Sequence, residues 1–316
     1  MQFPGRHDGA KVIKRNPRGL TMGQQHDAYF VPTKSYWPIV AAVVMFITVF
    51  GAAHWLNAGP GEAGFGKGVL TIGVIGIIGM FFGWFRSVIN ESLAGNYNAQ
   101  VDTSFRMGMM WFIFSEVMFF GAFFGALFYV RMYSLPWLGG HGHGVLTHQF
   151  LWSDYVASWG ANGGGGPEQV GGAFRTVPAW GLPLLNTMLL LTSSVTVTIA
   201  HHALRAGQRG KILLFLGLTV LLGATFLYFQ AHEYMEAYNE LNLTLRSGVY
   251  GATFFMLTGF HGLHVTLGTI MLLVIWFRVL KGHFNKDHHF GFEAVAWYWH
   301  FVDVVWLCLF LFVYIL

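Results

Sequence analysis

The sequence predicts an all-α membrane protein with seven transmembrane helices. Three observations carry this. Hydrophobic residues make up 54% of the 316 residues and charged residues only 10%, against about 25% charged in a typical soluble protein. Seven stretches stay apolar over the roughly 20 residues that a helical span needs. Lys and Arg divide unevenly between alternate connections: 14 of the 18 fall on one side, and only Lys67, Arg131, Arg175 and Arg246 on the other. The positive-inside rule then places the N-terminus in the cytoplasm and, with an odd number of spans, the C-terminus outside.

The elements follow in chain order. Residues 1–33 are polar and basic and contain no apolar core of the signal-peptide kind. They read as a cytoplasmic arm, followed by the seven-helix domain over 34–316. The first two spans cover 35–56 and 68–89, the second rich in glycine. The third covers 106–130. Gly79 with Gly83, and Gly121 with Gly125, stand four apart, a spacing that predicts close helix approach. The long connection 131–181 lies outside and reads as a flexible periplasmic loop. Its His141, His143 and His148 match no defined metal spacing, and Gly163 to Gly166 are not followed directly by a helix, as a phosphate cradle requires. The remaining spans cover 182–204, 210–232, 247–277 and 293–316. The sixth exceeds the bilayer and is expected to tilt or project.

The pI of about 9.2 needs no nucleic-acid partner, because the basic residues satisfy membrane orientation. The single cysteine, Cys308, excludes intramolecular disulfides and cysteine-based metal centres.

Polar residues inside the spans carry the chemistry. Glu116 stands nine residues in from Met107, about 13 Å at 1.5 Å per residue, close to the midplane of a ~30 Å hydrocarbon core. A lone charge there costs several kcal/mol. The depth therefore predicts a protonated carboxyl, and two readings stay open: a proton or ligand site, or a structural hydrogen bond to another helix. His261 and His264 share one face of the sixth span, and His300 and Asp303 one face of the seventh. They read as helix-contact polar residues. Trp297, Tyr298 and Trp299 read as an interfacial aromatic belt. Trp84, Phe85, Arg86 and Glu91 near the end of the second span, with Arg278, Lys281 and His283 after the sixth, combine cations and aromatics as an anionic lipid head would require, or as ordinary positive-inside charge alone would place them.

At these residues the chain resembles subunit III of the aa3-type cytochrome c oxidases, bacterial haem–copper enzymes, and their mitochondrial relatives. The motifs are Phe114-Ser-Glu-Val-Met-Phe-Phe, Thr258-Gly-Phe-His-Gly-Leu-His-Val, His288-His-Phe-Gly-Phe-Glu-Ala and Ala296-Trp-Tyr-Trp-His-Phe-Val-Asp-Val-Val-Trp. The resemblance runs from about residue 26 onward. It implies helices 1–2 and 3–7 in two groups forming a V-shaped, phospholipid-holding cleft. It implies that the chain holds no cofactor or metal, that haems and copper reside in partner subunits, and that subunits I and II are its partners, with cytochrome c met through the complex. It implies a non-redox role: stabilising subunit I, supporting proton uptake and resisting turnover inactivation. Glu116 matches the family's carbodiimide-reactive buried carboxylate. Trp84, Phe85, Arg86, Glu91, Arg278 and His283 match its lipid contacts. Asn90 and Tyr97 depart from the family pattern, where relatives carry Arg and His. The alternatives are a quinol oxidase subunit III and a stand-alone transporter using Glu116. The expected location is the bacterial inner membrane.

Overall fold

A computed structural model describes residues 29–31, 34–59, 61–160, 172–284 and 288–316. The N-terminal arm up to residue 28 and the run Gly163 to Gly166 lie outside them. Among the described residues all regular structure is helical. Seven helices are long and apolar enough to cross a membrane.

These are α1 (Trp37–Leu56), α2 (Ala63–Leu93), α3 (Ala99–Tyr129), α6 (Leu182–Arg205), α7 (Arg209–Asn239), α8 (Gly248–Leu280) and α9 (Phe290–Leu309). Short α4 (Leu135–Leu138) and α5 (Val145–Leu151) fall between α3 and α6. Proline opens α1 and α6, where its missing N–H has no helical partner to lose. The apolar runs place every span but cut four of them short. Helices α2, α3 and α7 reach 31 residues and α8 reaches 33. Their outer turns are polar, so hydropathy stops before the backbone does.

The connection after α3 departs from the expected flexible loop. The helix passes into a π-helical segment, Val130–Ser134, and then into α4. A 3₁₀ turn at Gly142–Gly144 leads into α5. His148 Nδ1 lies 2.9 Å from the Leu138 carbonyl and ties the two short helices together.

The chain divides into two compact units, 1–105 and 106–316. In the first, α1 and α2 form a close antiparallel pair. Gly66, Gly73 and Met80 recur every seven residues on the buried stripe of α2. A side chain at Gly66 would overlap the Trp55 backbone, at Gly73 the Thr48 backbone, and at Gly51 of α1 the Leu70 backbone. Small residues thus let two backbones touch. The glycine pairs named from spacing behave differently. Of these four, only Gly83 is crowded, by the Trp37 ring, whereas Gly79, Gly121 and Gly125 meet no atom within 4 Å.

In the second unit α6 packs on α7, α7 on α8, and α9 on both α8 and α6. Helix α9 is the most enclosed of the seven. Two of the three residues expected as an aromatic belt are core instead: Trp299 is 0% exposed and Tyr298 2%, whereas Trp297 is half-buried. Gly223 and Gly268 clear the space that the Trp299 indole fills, and its Nε1–H donates to Ser193 Oγ at 2.9 Å. An amphipathic ring suits a headgroup boundary or a core with a buried acceptor; Ser193 provides the second. The 106–129 portion of α3 makes few close backbone approaches to its neighbours. Aromatic rings bridge instead, with Phe119 and Phe123 against Phe260 at 5.0 and 5.6 Å and Phe120 against His264 at 5.1 Å.

Candidate functional site

Helix α3 brings Glu116, and α8 brings His264, to a common point inside the second unit. Glu116 Oε2 lies 2.8 Å from His264 Nε2. On the other side of the ring, His264 Nδ1 lies 2.6 Å from the Phe260 carbonyl oxygen, one helical turn back. A carbonyl only accepts, so Nδ1 carries a proton. A single proton therefore lies between Glu116 Oε2 and His264 Nε2. Whichever atom holds it, the pair is neutral overall. Of the two readings left open by depth, a hydrogen bond to another helix is present, and the partner it lacked is a base 148 positions away in sequence. Phe119, Phe120 and Tyr298 surround the imidazole, and the Glu116 side chain is 21% exposed.

His261, one turn before His264, points elsewhere. It is fully buried, and its Nε2 lies 3.1 Å from the Val302 carbonyl of α9. Its ring lies tilted against Trp306, with centroids 5.1 Å apart. His300 Nδ1 lies 2.6 Å from Ser194 Oγ of α6. Ser194 thus ties α6 to His300 of α9, while Asp303, one turn on, is buried with its Oδ1 unpaired among the described residues. These histidines link helices, and the structure does not bring them together with Glu116 except for His264.

The remaining candidates fall in different units. In the first, Trp84, Phe85 and Arg86 are exposed, with the Trp84 and Phe85 rings 5.8 Å apart. Tyr97 O–H donates to Glu91 Oε2 at 2.8 Å. Burial first, then this carboxylate, pushes the Tyr97 phenol up. Tyr97 therefore acts as a neutral donor that fixes Glu91. In the second unit, the Arg278 guanidinium lies over the Phe284 ring at 4.4 Å. His283 follows in the same turn, its N–H donating to the Arg278 carbonyl at 3.0 Å.

Two polar groups escaped the reading of the spans. Glu233, 1% exposed in α7, accepts from Tyr314 O–H at 2.6 Å and from Gln230 Nε2 at 3.3 Å. At the opposite end of the unit, Glu293 opens α9, pairs through Oε2 with Arg106 of α3, and has His201, Arg205 and His289 around Oε1. Only the i, i+4 spacing of His289 and Glu293 was visible as a local signal.

The sequence pattern of the family described as Cytochrome c oxidase subunit III matches residues 26–148 and 145–316. The chain belongs to the cytochrome c oxidase subunit III family. It is 40% identical over 281 residues to Cytochrome c oxidase subunit 3 of Prototheca wickerhamii, covering 89% of this chain and 94% of the relative. It is 39% identical over 294 residues to the protein of the same name from Bos mutus grunniens, covering 93% of this chain and 99% of the relative. Both elements of the Glu116–His264 pair, and all of α9, fall within the matched residues of the subunit III family.

Proposed function

We propose that this chain is the non-redox subunit III of a proton-pumping cytochrome c oxidase, the enzyme that oxidises cytochrome c and reduces oxygen to water. It works beside subunits I and II, stabilises subunit I, supports proton uptake and limits inactivation during turnover. The observation that carries the reading is the Glu116–His264 pair, set within a chain that matches this family along most of its length. A carboxyl sharing one proton with an imidazole is electrically neutral, so it survives in lipid. It also holds a transferable proton, which an amide would not. That fits a subunit that tunes proton entry without carrying a redox centre.

Haems and copper belong, in this reading, to the partner subunits. Phospholipid binds at Trp84, Phe85, Arg86 and Glu91 of the first unit and at Arg278 and His283 of the second. Exposed aromatic rings beside a guanidinium suit the headgroup level of a bilayer. The distribution of Lys and Arg supports a cytoplasmic N-terminus in a bacterial inner membrane. The names of the relatives favour cytochrome c over quinol as electron donor.

Purification in mild detergent tests the proposal. The chain is expected to co-purify with two larger redox subunits and a haem spectrum, and to lose that spectrum when separated from them. Haem retained by the separated chain, or purification with no oxidase subunit, overturns it.

A further inference from the structure

At the end of the second unit that carries Arg106 and Arg205, three donor atoms converge. His201 comes from the last turns of α6, and His289 and Glu293 from the start of α9. One donor atom from each lies within 4.8 Å of the other two. His201 Nε2 and His289 Nε2 stand 3.4 and 3.3 Å from Glu293 Oε1. These contacts are outside hydrogen-bond geometry: neither Nε2 has a hydrogen-bond partner among the described residues, and neither does His289 Nδ1. The side chains of His289 and Glu293 are only 9% and 5% exposed. Buried polar nitrogens without partners are rare and require a reason.

We propose that His201, His289 and Glu293 form a binding site for a divalent transition metal of the zinc class. The ligand set is two imidazoles and one carboxylate oxygen, with the fourth position left for water. The spacing supports this. Metal–ligand bonds of 2.0–2.1 Å in a tetrahedron place adjacent ligand atoms about 3.3–3.4 Å apart, and both oxygen–nitrogen separations match that edge. The outer contacts support it as well. Arg106 holds the other carboxylate oxygen, Oε2, and so aims Oε1 at the imidazoles. Such orienting contacts change metal affinity 10- to 100-fold elsewhere. All three ligands stand on or beside long helices, which keeps them in place. One group opposes binding: Arg205 lies 3.7 Å from Oε1. Its side chain is 62% exposed, so it can swing to solvent. A bound ion would clip the end of α6 to the start of α9.

The test is Zn(II) titration of the chelator-stripped protein, purified with its membrane partners. His201→Asn and His289→Asn are each expected to weaken one zinc site at least tenfold. His202→Asn, at the neighbouring exposed position, is expected to leave it unchanged. Arg205→Ala is expected to tighten it. X-ray absorption on the zinc-loaded parent guards against misfolded variants, and should show two imidazoles at about 2.0–2.1 Å. A parent that binds no zinc, unchanged affinity in both His→Asn variants, or a zinc spectrum without imidazole scattering overturns the proposal.

Discussion

At the scale of single residues, Glu116 shows how a partner alters the meaning of a charge. Sequence position placed the carboxyl near mid-bilayer depth, and depth alone called for a protonated acid, either a proton or ligand site or a hydrogen bonder to an unidentified neighbouring helix. The side chain of His264 was visible too, as one of two histidines on the sixth span, but nothing local linked it to α3. Long-range pairing is set by helix packing, which no spacing rule encodes. The pairing makes a prediction. In Glu116→Gln the amide N–H can still donate to His264 Nε2, so assembly and thermal stability should change by less than about 1 kcal/mol, with turnover lifetime or proton uptake altered modestly. His264→Leu leaves the carboxyl without its buried partner, a loss of about 1–3 kcal/mol. Thermal unfolding of the two variants side by side measures the difference; equal destabilisation would contradict a shared proton. His283 lends itself to a pH experiment. Burial, then the charges of Arg278 and Lys281, pull its imidazole below the ordinary histidine range. The unfolded chain then binds the proton more readily, so this contribution to stability is present above about pH 6.5 and is lost as pH falls toward the lowered value. The thermal midpoint of the parent should drop through that window, and that of His283→Gln should drop less.

At the scale of elements, all seven spans were legible because a run of about 20 apolar residues, in a chain this poor in charge, matches the thickness of a bilayer and little else. Their ends were not, since polar outer turns continue the helix without a hydropathic signal. The glycines divide by the same logic. A four-residue spacing is common in glycine-rich spans, whereas the working contact in α2 repeats every seven residues, Gly66 to Gly73 to Met80, as a stripe facing one partner helix does. Trp299 misled for a related reason: its sequence neighbours suggest a boundary, and only Gly223 and Gly268 on other helices reveal the slot it occupies. Gly73→Val should separate α1 from α2 and destabilise the chain by about 1–3 kcal/mol or more. Gly79→Ala, at a position that meets no atom within 4 Å, should be neutral or slightly stabilising through helix propensity. Detergent-resistant thermal unfolding of both variants checks this; comparable losses would remove the distinction.

At the scale of the whole molecule, the charge distribution and the family motifs were readable together, and both rest on residues whose chemistry is local. The polar clusters at the two ends of the second unit were less so. Glu233 with Tyr314 at one end, and Glu293 with its histidines at the other, assemble from helices distant in sequence. Helix α3 shows what this assembly does. Arg106 clasps Glu293, Glu116 meets His264, and Arg131 donates to the Leu316 carbonyl, while close backbone contact along the helix is sparse. Adhesion between membrane helices is ordinarily indifferent to ionic strength, because packing carries no charge. Here the fastenings nearest water are ionic or charge-assisted and the middle one is sealed by aromatic rings. Salt screens exposed charges over about 8 Å at physiological strength and buried pairs much less; with the Glu293 side chain only 5% exposed, high salt is expected to leave α3 fastened at both Arg106 and Glu116, and a thermal midpoint that falls steeply with ionic strength would contradict this.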